Sequence, residues 1–237
     1  MEKINPEFEL KNWCFKISKT EKEITNYCFW TNKSKHHTKY KVPIKNIVGT
    51  NHLRYCGKTW IEILGSLKKF NNHIWDKNTF LDLYKRNNIT YSKYGDDYII
   101  IGGGNHRSCI AKFFEFEYLE CSVDEYSFDS ELFNVFNQLK SRGLNPQESK
   151  HLRESIWYIK INDKKVSLFD FELVIPFINF YDNIEINIKN LLGKKINSII
   201  GDNNNVTQYR IRNVEEFKTL KDDILKHKIK YGNTLMY

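Results

Sequence analysis

Residues 99–116, IIIGGGNHRSCIAKFFEF, run a β-prone apolar segment into three consecutive glycines, then Asn-His-Arg, then a second segment rich in apolar residues. Ile110, Phe113 and Phe114 recur at i, i+3 and i+4, so the order reads as strand, tight loop and helix. The first N–H groups of such a helix have no intrahelical acceptor, and the positive end of its dipole falls on the loop. Glycine there allows a positive φ and a close approach of a ligand to the backbone. Arg107 adds a guanidinium that can grip oxygens in bidentate fashion, and His106 can donate a hydrogen bond, shuttle a proton or stack. Asn105 can donate and accept but has no acid–base chemistry. The pattern suits an anion, above all phosphate; tight strand-to-helix packing explains the same glycines without a ligand. Neither standard nucleotide fingerprint is present, because no glycine follows Gly104 before Gly143 and no Lys-Ser/Thr pair follows the loop.

The flanking sequence supplies a mixed domain around this loop. YKVPIKNIVGT, residues 40–50, reads as a short strand limited by Pro43 and closed by Gly49. Helices are expected over 60–70 and over 78–87, the latter with Phe80, Leu81 and Tyr84 at helical spacing and Asn78 as cap. ITYSKYGDDYIII, residues 89–101, reads as a hairpin turning at Gly95-Asp96-Asp97. Beyond the glycine loop, Leu119, Cys121 and Val123 alternate with Glu120, Ser122 and Asp124, as in a half-buried strand. Polar, turn-like stretches at 31–39 and 141–149 mark an N-terminal extension (1–39), a central domain (40–142) and an α+β C-terminal region (143–237). Residues 129–142, at the end of the central domain, read as a helix ended by Gly143, and in the C-terminal region Asn145-Pro146 opens another short helix. A hairpin turns around 162–165, VTQYRIR is a strand, and Asn213 caps a final helix whose inner stripe is Phe217, Leu220, Ile224 and Leu225. Phe177, Phe180 and Tyr181 belong to the core of that region. The fold class is α/β (α+β), with a small mixed sheet at its centre.

A chain of 237 residues can bury a sizeable core without disulfides or metals. The five cysteines are scattered, odd in number and never in C-x-x-C pairs, which argues for reduced thiols. Cys14, Cys28, His36 and His37 match no common zinc spacing, so no metal site is expected. No apolar run approaches the roughly 18–20 residues of a membrane span, and MEKINPEFELKNW lacks the apolar core of a signal peptide. A cytoplasmic protein without a membrane partner is expected. The net charge of +8 divides into excesses of +3, +2 and +3 over residues 1–39, 40–142 and 143–237, so there is no basic arm or tail. Binding to nucleotide phosphates or nucleic acid is compatible with this balance and not required by it.

The segment IIIGGGNHRSCIAKF, preceded by the hairpin and by VPIKNIVGT, resembles the core of the ParB/sulfiredoxin superfamily, in which a strand runs into a Gly-x-His/Arg-Arg loop that opens a helix. The similarity covers roughly residues 40–126. Family members include partition CTPases, sulfiredoxins, kinases of free amino acids and ParB-like nucleases. The resemblance implies an NTP-binding protein that hydrolyses or transfers phosphate, with Mg²⁺ accompanying ATP or CTP. Matched by position, Gly103, Gly104, Asn105, His106 and Arg107 would form the phosphate loop, Ser108 would mark the helix N-terminus that supplies backbone donors, and Arg54 in TNHLR would be a second phosphate- or base-facing residue. His106 would handle a proton, and Glu62, Asp96 and Asp97 are candidate bases. Two departures matter. Asn105 stands where sulfiredoxins carry a nucleophilic cysteine, and an amide is no thiolate. Partition proteins follow the loop with a helix-turn-helix module, whereas IWYIKI here returns to strand. The alternatives are a non-enzymatic nucleic-acid-binding module or a ParB-like nuclease, in defence or mobile-element biology. Room also remains for a homo-oligomer.

Overall fold

The computed structural model describes residues 9–67, 80, 89–149, 151–185 and 208–234; of residues 31–34 and 232–234 it describes the backbone. The chain divides into two compact units, Met1–Phe128 and Asp129–Tyr237. Both combine helices with a mixed sheet, which makes the fold α+β.

The first unit is built on five strands: β1 (Trp30–Pro43), β2 (Ile47–Thr50), β3 (Thr90–Tyr94), β4 (Asp97–Gly102) and β5 (Tyr118–Phe128), in the order β1-β5-β3-β4-β2. β3 and β4 form the expected hairpin, pairing Tyr94 with Asp97 and Thr90 with Gly102. β5 runs parallel to β3 and antiparallel to β1, and β2 runs parallel to β4. The period-2 alternation of β4 divides the core between the two faces of the sheet. Tyr98 and Ile100 join the main cluster with Tyr91, Leu119, Cys121 and Val123. Ile99 joins Tyr94 and Ile24 in a second cluster on the other side, edged by Tyr27, Trp30 and Tyr126.

Two short helices cover the main cluster. Thr59 caps α1 (Trp60–Gly65), and Glu62 closes the capping box: the Thr59 backbone N–H and hydroxyl each donate to its carboxylate over 2.8 Å. The helix α2 (Asn105–Phe113) follows the glycines as expected. Its side chains from Ser108 to Phe113 are all buried, so it is enclosed rather than striped.

One sequence expectation is overturned here. The polar stretch 31–39 is no turn; it lies within the 14-residue β1, whose register against β5 shifts at three places. Cross-strand pairing supplies what its composition hides: His36 pairs with Asp124 at 2.6 Å and His37 with Glu125 at 3.0 Å. The helix expected over 78–87 lies outside the described residues apart from Phe80, which is fully buried against Phe114 and Phe116.

The second unit contains α3 (Ser130–Ser141), β6 (Trp157–Ile161), β7 (Lys164–Leu168), α4 (Val174–Asn183), β8 (Gln208–Ile211) and α5 (Lys221–Thr234). The Asp129 carboxylate caps α3 by accepting from Leu132 N–H at 3.0 Å, and Leu132, Val135, Phe136 and Leu139 form its buried stripe. β6 and β7 are the expected hairpin, with Asn162 at φ 54° in the turn, and β8 adds parallel to β7. Among the described residues no helix follows Asn145-Pro146: Gln147 N–H donates to Tyr158 O at 3.0 Å and Lys160 N–H to Leu144 O at 2.9 Å, so the segment lines the edge of β6 instead. Asn213 does cap, but the helix it opens begins as a 3-10 helix (Val214–Leu220) before α5. No helix among the described residues is long and apolar enough to cross a membrane.

Candidate functional site

Because β2 and β4 are parallel neighbours, pairing Thr50 with Ile100, the chain leaves both at the same end of the sheet. One exit is the turn from Asn51 to Lys58; the other is the glycine loop into α2. Carboxyl ends of adjacent parallel strands are where open α/β sheets hold ligands. Asn51 N–H donates to Ile100 O at 3.1 Å, the Thr50 hydroxyl donates to Asn105 Oδ1, and the Tyr55 hydroxyl lies 2.7 Å from His106 Nε2. The two segments singled out separately in the sequence, TNHLR and GGGNHR, are therefore latched together.

Within the loop the glycines have identifiable causes. Gly103 has φ 59°, the left-handed region that side chains resist. Gly104, the residue before α2, could not carry a Cβ without driving it into Ile89 Cγ2. Having no side chain, Gly104 leaves the helix N-terminus without a side-chain cap. Arg107 folds back over the loop, donating to Gly103 O at 2.7 Å. Arg54 is exposed; its guanidinium donates to Ser66 O at 3.4 Å and lies 5.9 Å from the Tyr55 ring centroid. Backbone N–H groups and two guanidiniums make a donor set suited to an anion rather than a metal. Among the described residues no cluster of His, Cys, Asp and Glu could hold a metal ion.

Other residues singled out from the sequence sit less favourably. Ser108 N–H and its hydroxyl both donate to Gly104 O over 2.7 Å, and the buried hydroxyl also meets Tyr91 OH at 2.6 Å, so its polar groups are used inside the fold. Glu62 is engaged by Thr59, and hydrogen bonds from that residue's backbone and hydroxyl hold its carboxyl below the usual range. A lowered carboxylate is a weak base. Asp97 begins β4 and Gly102 ends it; at about 3.3 Å per residue the hairpin turn with Asp96 and Asp97 lies roughly 17 Å from the loop. Cys109 is fully buried, and burial pushes its thiol well up, so it is no nucleophile. Tyr55 was not visible as a site residue in the sequence. Its place beside His106 depends on a contact 51 residues apart.

Comparison with family models, with curated proteins and with solved structures finds no match to this chain.

Proposed function

We propose that this protein binds a nucleoside triphosphate at the junction of β2 and β4 and hydrolyses it or transfers its terminal phosphate. The observation that carries the reading is the latching of the Arg54 turn to the uncapped start of α2, at the carboxyl ends of two parallel strands. In this reading the backbone of Gly103 and Gly104 and the first-turn N–H groups of α2 cradle the phosphates. Arg107 and Arg54 balance their charge, while Asn105 and Thr50 hold the two segments in register. Ser108 and Glu62 are left out of the ligand set for the reasons above. Mg²⁺ would enter with the triphosphate and share in neutralising it, as phosphate-bound magnesium does. The protein's contribution is then mainly positioning and charge stabilisation of the transferring phosphoryl group.

The test is calorimetric titration with ATP, CTP, GTP and UTP, each with and without Mg²⁺, on the wild type and on Arg107→Ala. Binding of one triphosphate, weakened about tenfold or more by the substitution, is the expected result, since a charge-assisted hydrogen bond contributes about 1.5–3 kcal/mol. Absence of binding by all four refutes the proposal. A partner of nucleic acid would instead appear as binding that weakens steeply with salt.

A further inference from the structure

In the second unit one face of the β6–β8 sheet is core and the other is not. Trp157, Ile159, Ile161, Val166, Leu168 and Ile211 are buried on the inner face. Period-2 alternation puts their neighbours on the outer face, and the register aligns these across the strands, Tyr158–Ser167–Arg210 in one row and Lys160–Lys165–Gln208 in the next. Lys160, Lys165, Gln208 and Arg210 are exposed and Tyr158 is half-buried; Ser167 is buried, its hydroxyl accepting from Gln208 Nε2 at 3.3 Å. Phe169 and Arg212 continue the array just past the ends of β7 and β8. Both are exposed, and the Arg212 guanidinium lies 5.3 Å from the Phe169 ring centroid. The three strands carry no Asp or Glu, and among the described residues Lys160, Lys165, Arg210 and Arg212 form no ion pair. Lys160 stands directly opposite Lys165, a pairing that costs stability when nothing neutralises it. Such a face fits a polyanion.

We propose that the outer face of β6–β8 docks a single strand of nucleic acid, with Tyr158 and Phe169 as stacking platforms and Lys160, Lys165, Arg210 and Arg212 as phosphate contacts. The rings select this polyanion over others. Tyr158 and Phe169 occupy diagonal cross-strand positions about 7–8 Å apart, so successive unpaired bases can stack on them while the backbone phosphates reach the cations. A duplex, whose bases are already stacked on one another, cannot use the rings. Lys165 Nζ rests 3.8 Å from the Tyr158 ring centroid on a flexible four-carbon stem, so it can yield the ring to a base and take a phosphate instead. Tyr158 also shares a recess with Gln147, Ser149, Ser155 and Ile156, where an amide and hydroxyls can meet the edge of a base. This surface belongs to the second unit and does not depend on the triphosphate reading.

Fluorescence anisotropy of a labelled oligothymidine of about 12 nucleotides, titrated with the full chain across a salt series, tests the proposal. With the four cations engaged, the logarithm of affinity should fall against the logarithm of salt with a slope of about −3. Lys160→Ala/Arg210→Ala should bring the slope to about −1.5 and weaken binding about tenfold. Tyr158→Ala should lose about fivefold or more with the slope unchanged. Lys35→Ala/Lys39→Ala, which removes the same charge from exposed positions on β1, should bind as the wild type does. The proposal is overturned by a wild type that does not bind, by a β1 variant that loses as much as Lys160→Ala/Arg210→Ala, or by equal affinity for a duplex of the same length. Wild-type affinity in both Tyr158→Ala and Phe169→Ala overturns it as well. Should Tyr158→Ala fail to fold, Phe169→Ala and the exposed Lys160→Ala/Arg210→Ala pair decide.

Discussion

Lys112 offers a quantitative test of how α2 is held. The residue is 6% exposed, its ammonium donates to Ile44 O at 2.9 Å, and it lies 4.8 Å and 5.3 Å from the ring centroids of Trp60 and Trp13. Burial pushes the ammonium down to about 8 from its ordinary 10.5, with the nearby Cys109 and Cys14 thiols pulling the other way. Between those two values the unfolded chain binds more protons than the folded one, so stability rises with pH. Linkage over pH 7 to 9.5 gives a gain of about 2 kcal/mol, or roughly 4–8 °C in melting temperature for a chain of this size. The assay is a series of melts of wild type and Lys112→Met across that range. Their difference isolates this one titration, because the other groups are shared. The wild type should gain on the variant by about that amount as pH rises; a constant difference from pH 7 to 9.5 refutes the claim that Lys112 is buried at a cost in charge.

Four further outcomes follow from specific contacts. Gly104→Ala should destabilise by about 1–3 kcal/mol through the clash with Ile89 Cγ2, and the loss should be partly relieved when Ile89→Ala is added, a non-additivity that denaturant titration would measure. Glu62→Ala should lower the melting temperature slightly and leave any nucleotide turnover unchanged; loss of turnover at normal stability would restore Glu62 as a base. In the second unit, Arg153 holds the Asp129 carboxyl below its usual range, so its stabilisation is present above the ordinary aspartate value and lost as pH falls through the lowered one. Asp129→Ala, which also removes the α3 cap, should cost about 2 kcal/mol at neutral pH and progressively less in acid. His227 is buried against Tyr181 and Tyr231, and burial lowers its imidazole, so stability should fall as pH drops below the ordinary histidine value; a His227→Phe variant that keeps this acid sensitivity would contradict the assignment.

Elements with strong local signals were legible in the sequence. The hairpin β3–β4 announces itself through β-prone runs around Gly95-Asp96-Asp97, and α2 through the break at the glycines and the spacing of Ile110, Phe113 and Phe114. The caps at Thr59–Glu62 and Asp129 rest on neighbouring residues in the chain and still go unread in the sequence, where Glu62 looks like a base. Elsewhere the reading failed because the partner was distant: 31–39 looks like a turn because His36 and His37 meet Asp124 and Glu125 only on β5, and Asn145-Pro146 looks like a helix start because β6 is not in its local sequence.

The candidate site divides in the same way. Local sequence suffices for a strand, a glycine loop and a helix carrying Asn105, His106 and Arg107, because backbone freedom, helix dipole and hydrophobic spacing act over a few residues. Long-range packing is what lays β2 parallel beside β4, which brings Thr50 to Asn105 and Tyr55 to His106, and what makes Ser108 and Glu62 spend their polar groups within the fold. Strand pairing and hydrogen-bond satisfaction across 50 residues depend on which faces the whole core buries, and no local pattern encodes that choice.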